Sequence, residues 1–153
     1  MQGARFARQT GALPGPYPMS ATMGTRREFA AAKEIALSML TTEFVLPAYQ
    51  TYLKERYAID ADRVIFDLAG AQQRLRDAVL FSAAETRERG DEIDGETDGV
   101  TIWIMRGLER DHMVEVLLHE AMHDSVFVSR PTRHGELRGL TCHDEHNVIY
   151  ALL

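Results

Sequence analysis

The 153-residue sequence has one cysteine, Cys142, so an internal disulfide cannot form and a disulfide-stapled secreted scaffold is excluded. It also lacks any run of about 18 apolar residues, which excludes a transmembrane helix and with it an expected role at the membrane. Positive charge is in deficit, with 17 Lys and Arg against 23 Asp and Glu for a net charge of −6. A dedicated nucleic-acid binder needs a basic footprint to displace counterions from phosphate, so nucleic acid is not an expected partner. Cysteine usage points to a reducing, intracellular and cytoplasmic setting. Histidine is missing from the first 111 residues, yet six follow: His112, His119, His123, His134, His143 and His146. At 45% hydrophobic and 26% charged, the remainder has the balance of one domain with a full core.

Acid is absent from residues 1–27, which carry Arg5, Arg8, Arg26 and Arg27 around a proline- and glycine-rich stretch from Gly11 to Pro18. Such a stretch builds neither helix nor strand, so 1–24 is expected to be a disordered or loosely packed arm ahead of a single domain at 25–153. The arm has no apolar centre of a secretory signal; an organelle transit peptide is the lesser alternative.

From Thr25 the pattern turns helical, with Thr25 and Glu28 placed as a capping box and Phe29, Ala32, Ile35, Ala36, Met39 and Leu40 at helical spacing. A second helix is predicted over Leu46 to Tyr57, with Pro47 in its first turn and Tyr49, Tyr52, Leu53 and Tyr57 on a core-facing side. Val64 to Phe66 is strand-like. Ala71 to Leu80 fits a helix, although Ala78 to Ser82 could extend as a strand. Residues 85–99 hold seven acids, two arginines and three glycines, which predicts an exposed loop whose spacing does not fit a calcium-binding EF-hand. Val100 to Met105 alternates as a strand. The expected class is therefore α+β.

Asp111 to Val128 is expected to be one helix, apolar on most sides and so buried. It contains His119-Glu120-x-x-His123. At 100° per residue the two histidines lie 40° apart on one face, one turn from each other, so both can reach a single ion. Glu120 projects to the flank, where its carboxylate can reach a water on that ion. Imidazoles and a carboxylate inside a buried helix are costly unless something satisfies them, and a metal does so. Asp124, next to His123, could orient a ligand imidazole or simply be a helix acid.

A catalytic zinc needs a third protein ligand. On a helix starting near Thr141, His143, His146, Asn147 and Tyr150 fall within about 100° of one another, with Glu145 beside Val148, Ile149 and Leu152. His143 ranks first, His146 second and Glu145 third, with Asp144 and Cys142 behind. His112 and His134 are expected at the surface, and the loop bearing Arg130, Arg133 and Arg138 is expected to be solvated, although it could take an acidic segment.

Val116 to His123, with the strand ahead of it and a histidine-bearing helix after it, resembles the HExxH zincin metallopeptidases, most nearly their small SprT-like branch. The resemblance covers about residues 98–153. It implies a small zincin-like domain with amino-terminal helices, a short mainly antiparallel sheet, a buried HExxH helix and a carboxy-terminal helix. It implies Zn²⁺ held by His119, His123 and a histidine opening the next helix, which maps onto His143. The spacing also suits gluzincins, whose third ligand is a glutamate and would map onto Glu145. The implied activity is peptide-bond hydrolysis of a polypeptide substrate with Glu120 as general base; Tyr150 is among the candidates for an oxyanion donor, and Val100 to Met105 for a strand pairing with substrate. The competing expectation is a non-catalytic module whose zinc staples two helices, with two of Cys142, His143 and His146 completing its four ligands.

Overall fold

The computed structural model describes residues 19–90, 93–133 and 135–153, with backbone alone for 19–24. Six helices and two small sheets make an α+β domain: α1 (Met19–Met39), α2 (Thr42–Tyr57), β1 (Val64–Phe66), α3 (Leu68–Arg76), β2 (Val79–Leu80), α4 (Ala83–Arg89), β3 (Gly95–Thr97), β4 (Ile102–Ile104), α5 (Arg110–Met122), β5 (Val126–Ser129), β6 (Leu137–Gly139) and α6 (Cys142–Leu152). One sheet has the order β1-β5-β6 and is antiparallel throughout; the other, β2-β4-β3, pairs β2 parallel and β3 antiparallel with β4. No helix among the described residues is long and apolar enough to cross a membrane.

Helix α5 is the axis of the core. Met113, Val116, Leu117, Ala121 and Met122 are fully buried around its circumference, and α1, α3, β3, β4 and α6 pack against it. The expected burial on most sides therefore holds. Its length does not: α5 stops at Met122, Asp124 turns the chain in the left-handed region at φ 57°, and Val126 and Val128 then alternate into the core as strand β5. Period-2 burial over four residues overrode the helical wheel.

Several other boundaries shift for local reasons. The expected arm, 1–24, lies outside the described residues up to 18, and 19–24 belong to α1. Thr25 and Glu28 therefore sit inside a helix instead of capping one, and Glu28 pairs with Arg110 of α5 at 2.8 Å. Helix α2 starts at Thr42, because Thr41 accepts the Phe44 N–H at 3.2 Å, so Pro47 falls one turn inside it. The acidic stretch is not a plain loop. Ser82 and Glu85 form a reciprocal capping box for α4, Arg87 and Arg89 close its last turn, and Gly95–Thr97 becomes β3.

Candidate metal centre

The last turn of α5 carries His119, the chain turns extended at the cap residue His123, and the carbonyls there are taken by side chains. Arg74 of α3 donates from Nη2 to the carbonyls of Ala121 and His123 at 3.1 and 2.9 Å, a cation at a helix C-terminus, and Ser125 Oγ donates to Met122 O at 2.6 Å. Helix α6 is fixed by its own start. Thr141 caps Asp144 N at 3.2 Å, and Asp144 Oδ1 accepts from the hydroxyls of Tyr52 and Tyr57 at 2.8 and 2.7 Å. The tyrosine stripe of α2 thus divides: Tyr49 is core, while Tyr52 and Tyr57 anchor α6.

This anchoring brings His146 against the α5 pair. His123 Nε2 lies 3.1 Å from His119 Nε2 and 3.1 Å from His146 Nε2, all three side chains are buried, and their ligand atoms lie within 4.8 Å of one another. Nitrogens about 2.05 Å from a tetrahedral ion would stand about 3.3 Å apart, so the donor set fits a metal. A single proton on His123 Nε2 could serve only one of the two facing nitrogens; one cation serves all three. Burial, reinforced by the neighbouring imidazoles, holds His119 down to about 3, and burial also lowers His146, so both present lone pairs.

Glu145 supplies the support. Its Oε1 lies 3.0 Å from His123 Nδ1 and its Oε2 accepts the Asp124 N–H at 2.6 Å, which assigns the Nδ1 proton and leaves Nε2 facing the cluster. Burial lowers the basicity of His123, but this bond and the Glu145 charge outweigh it and raise the ring above its ordinary value. The third histidine of the cluster is therefore His146, not His143, which is exposed. The wheel gave their shared direction but not their height: His143 stands three residues nearer the start of α6, about 4.5 Å along the axis. Glu145 is a partner of a histidine and not a member of the cluster. The orienting role considered for Asp124 falls to Glu145, which binds the Asp124 backbone while its side chain is exposed.

Glu120 is 2% exposed and its Oε1 has no hydrogen-bond partner among the described residues. It opens onto a cleft of about 380 Å³ lined also by His123, Glu145, Cys142 and the strand Gly95–Thr97. Burial pushes its carboxyl up to about 7, against the pull of His123. Tyr150 leans over the other side, with ring centroids 5.5 Å from His119 and 5.6 Å from His146. The strand at the cleft is not the one expected: β4 lies between β2 and β3, and the edge is β3. Gly95 permits this approach, since a Cβ there would meet Val116 Cγ1 at 2.4 Å.

Of the remaining histidines, His134 lies outside the described residues, and His112 is more than a surface residue: its Nε2 is 2.7 Å from Asp94 Oδ2, a carboxylate with no exposure. Cys142 Sγ is 3.7 Å from His146 Nε2. Arg74 and Asp94 carried no sequence signal; their roles arise only when α3 and β3 pack on α5. No family model, curated protein or solved structure matches this chain.

Proposed function

We propose that the chain is a zinc-dependent metallopeptidase of the zincin kind, acting inside the cell on polypeptides, with His119, His123 and His146 as ligands. The observation that carries this is a cluster of three converging Nε2 atoms, one of whose rings, His123, lines the same cleft as Glu120, a buried carboxylate whose Oε1 has no hydrogen-bond partner among the described residues. A zinc ion bound there supplies an activated water and a polarised substrate carbonyl. Glu120 accepts the proton of the attacking water and returns it to the amide nitrogen as the peptide bond breaks. Its raised basicity suits both steps, because a group near neutrality can take and release a proton. Glu145 keeps His123 in the ligating tautomer, Tyr150, whose ring packs near His119, is the candidate hydroxyl donor to the developing oxyanion, and the edge of β3, unpaired among the described residues, is the candidate for pairing with an extended substrate.

A second reading is favoured by one contact. Cys142 Sγ, 3.7 Å from His146 Nε2 though not part of the histidine cluster, could turn inward as a fourth donor and close the site to substrate. Glu120 separates the two, since a staple has no use for a buried free carboxylate. Metal content and casein cleavage are measured for wild type and Glu120→Gln. Retained zinc with cleavage abolished only in the variant supports the peptidase. Zinc in both without cleavage in either supports the staple, and no zinc in wild type removes both readings.

A further inference from the structure

A second cavity, of about 340 Å³, lies beside the β1-β5-β6 sheet and is lined by Arg63, Arg130 and Arg138 together with Tyr57, Ile59 and Val128. No carboxylate lines it, although the chain as a whole carries a net charge of −6. Arg63 is held in place: its Nε and Nη2 both donate to Ser129 O, at 3.0 and 2.9 Å, which leaves Nη1 available and lets the guanidinium take a ligand with little further loss of side-chain freedom. Arg138 pairs with Val128 across the ladder, so its side chain lies on the same face as that core residue, and it forms no ion pair among the described residues. Arg130 is engaged with Glu136 at 3.3 Å, a half-exposed contact that an incoming anion can exchange. A charge on an edge strand can serve simply to block pairing with another sheet. That purpose needs neither a cavity nor a second, pre-oriented guanidinium.

We propose that this cavity is an oxyanion-binding site that takes a carboxylate or phosphate group through Arg63, Arg130 and Arg138. Planar, multidentate recognition of such groups is what guanidinium clusters provide. Two sources share this chemistry. One is an acidic side chain of a polypeptide: Leu140, which lines the metal-site cleft, is two residues from Arg138, roughly 7 Å along an extended chain, so one peptide could occupy both. The other is a small phosphorylated molecule. The site stands whether or not the metal centre is catalytic.

The test follows the arginine Nε–Hε resonances of the full ¹⁵N-labelled chain during titration with inorganic phosphate and, separately, with tetraglutamate. Sodium chloride at matched ionic strength is the control. Saturable shifts of Arg63 and Arg138 are expected, with an apparent Kd at least fivefold weaker in Arg138→Gln and within twofold of wild type in Arg133→Gln, which lies outside the cavity. Arg138 is exposed on a surface strand, and its replacement leaves the core intact. Tighter binding of tetraglutamate identifies the polypeptide source; tighter binding of phosphate identifies the small molecule. Shifts that follow chloride, or that Arg138→Gln leaves unchanged, would overturn the proposal.

Discussion

Replacing His146 by alanine, with His143→Ala as its companion, tests the geometry of the metal centre most directly. A structural zinc contributes about 10–16 kcal/mol through four donors, or about 2.5–4 kcal/mol for each, so losing one donor should weaken binding about 10²–10³-fold. The same loss is visible in stability. At free zinc of about 100 times the wild-type Kd, binding stabilises the fold by about 2.7 kcal/mol; a hundredfold weaker variant retains about 0.4 kcal/mol at that concentration. The difference of about 2.3 kcal/mol corresponds to about 5–9 °C of zinc-dependent Tm in a domain of this size. The quantity to compare is the shift between chelator-treated and zinc-loaded protein within each variant, because the packing cost of removing a buried ring cancels. Competition with a chromophoric chelator gives the affinities independently. His143→Ala should match wild type in both assays, since its ring is exposed. An undiminished zinc shift in His146→Ala, or its loss in His143→Ala, would refute the assignment.

Glu145→Gln replaces one of two acceptor oxygens by a donor facing either His123 Nδ1–H or Asp124 N–H. Zinc affinity measured with the same chelator should fall about 10–100-fold, as for other partners of ligating histidines; a fall as large as that of His146→Ala would make Glu145 a ligand instead. Arg74→Met removes the cation shared by the last carbonyls of α5 and should lower the urea-derived stability of the metal-free protein by about 2–3 kcal/mol, and a change below about 0.5 kcal/mol would show that those carbonyls find other partners. The bond to Asp94 raises His112 above its ordinary value despite partial burial, so the contribution of the pair is complete below about pH 6.5 and is lost as pH rises through the folded-state value. The gap in urea midpoint between wild type and His112→Asn should therefore narrow from pH 6 to pH 8.5; a gap independent of pH would exclude the ion pair as its source.

The convergence of His119 and His123 and the flanking place of Glu120 were legible in the sequence because their relation is local: spacing on one helix sets direction, and direction is all that two facing imidazoles and a flanking carboxylate require. The burial of α5 was legible for the same reason. Which histidine of α6 joins them was not, because it depends on the height of α6 against α5, and that height is set by Tyr52 and Tyr57 gripping Asp144 from 92 and 87 residues away. Strand β5 was hidden because Ser125 and Phe127 fit the wheel of a continued helix, and only the Asp124 turn reverses the chain. The acidic stretch read as solvated since charge usually is; what overrode it was Asp94, buried with no exposure and neutralised by a histidine 18 residues on.

Asp144, Glu145 and His146 show how far this long-range control extends. Three consecutive helical positions span 200°, so at most one side of α6 could have been expected to bury them. All three are buried, at 4%, 3% and 3% exposure, and each is satisfied by a different part of the fold: Asp144 by the tyrosines of α2, Glu145 by His123 and the Asp124 turn, His146 by the α5 histidines. Polar groups buried without partners would oppose docking by about 1–3 kcal/mol each, so α6 can dock only in the one register that satisfies all three. Val148 and Ile149 supply apolar contact but would tolerate neighbouring registers. The placement of the third histidine of the cluster therefore resides in two neighbouring carboxylates, and altering either should misplace His146 while leaving its own side chain intact.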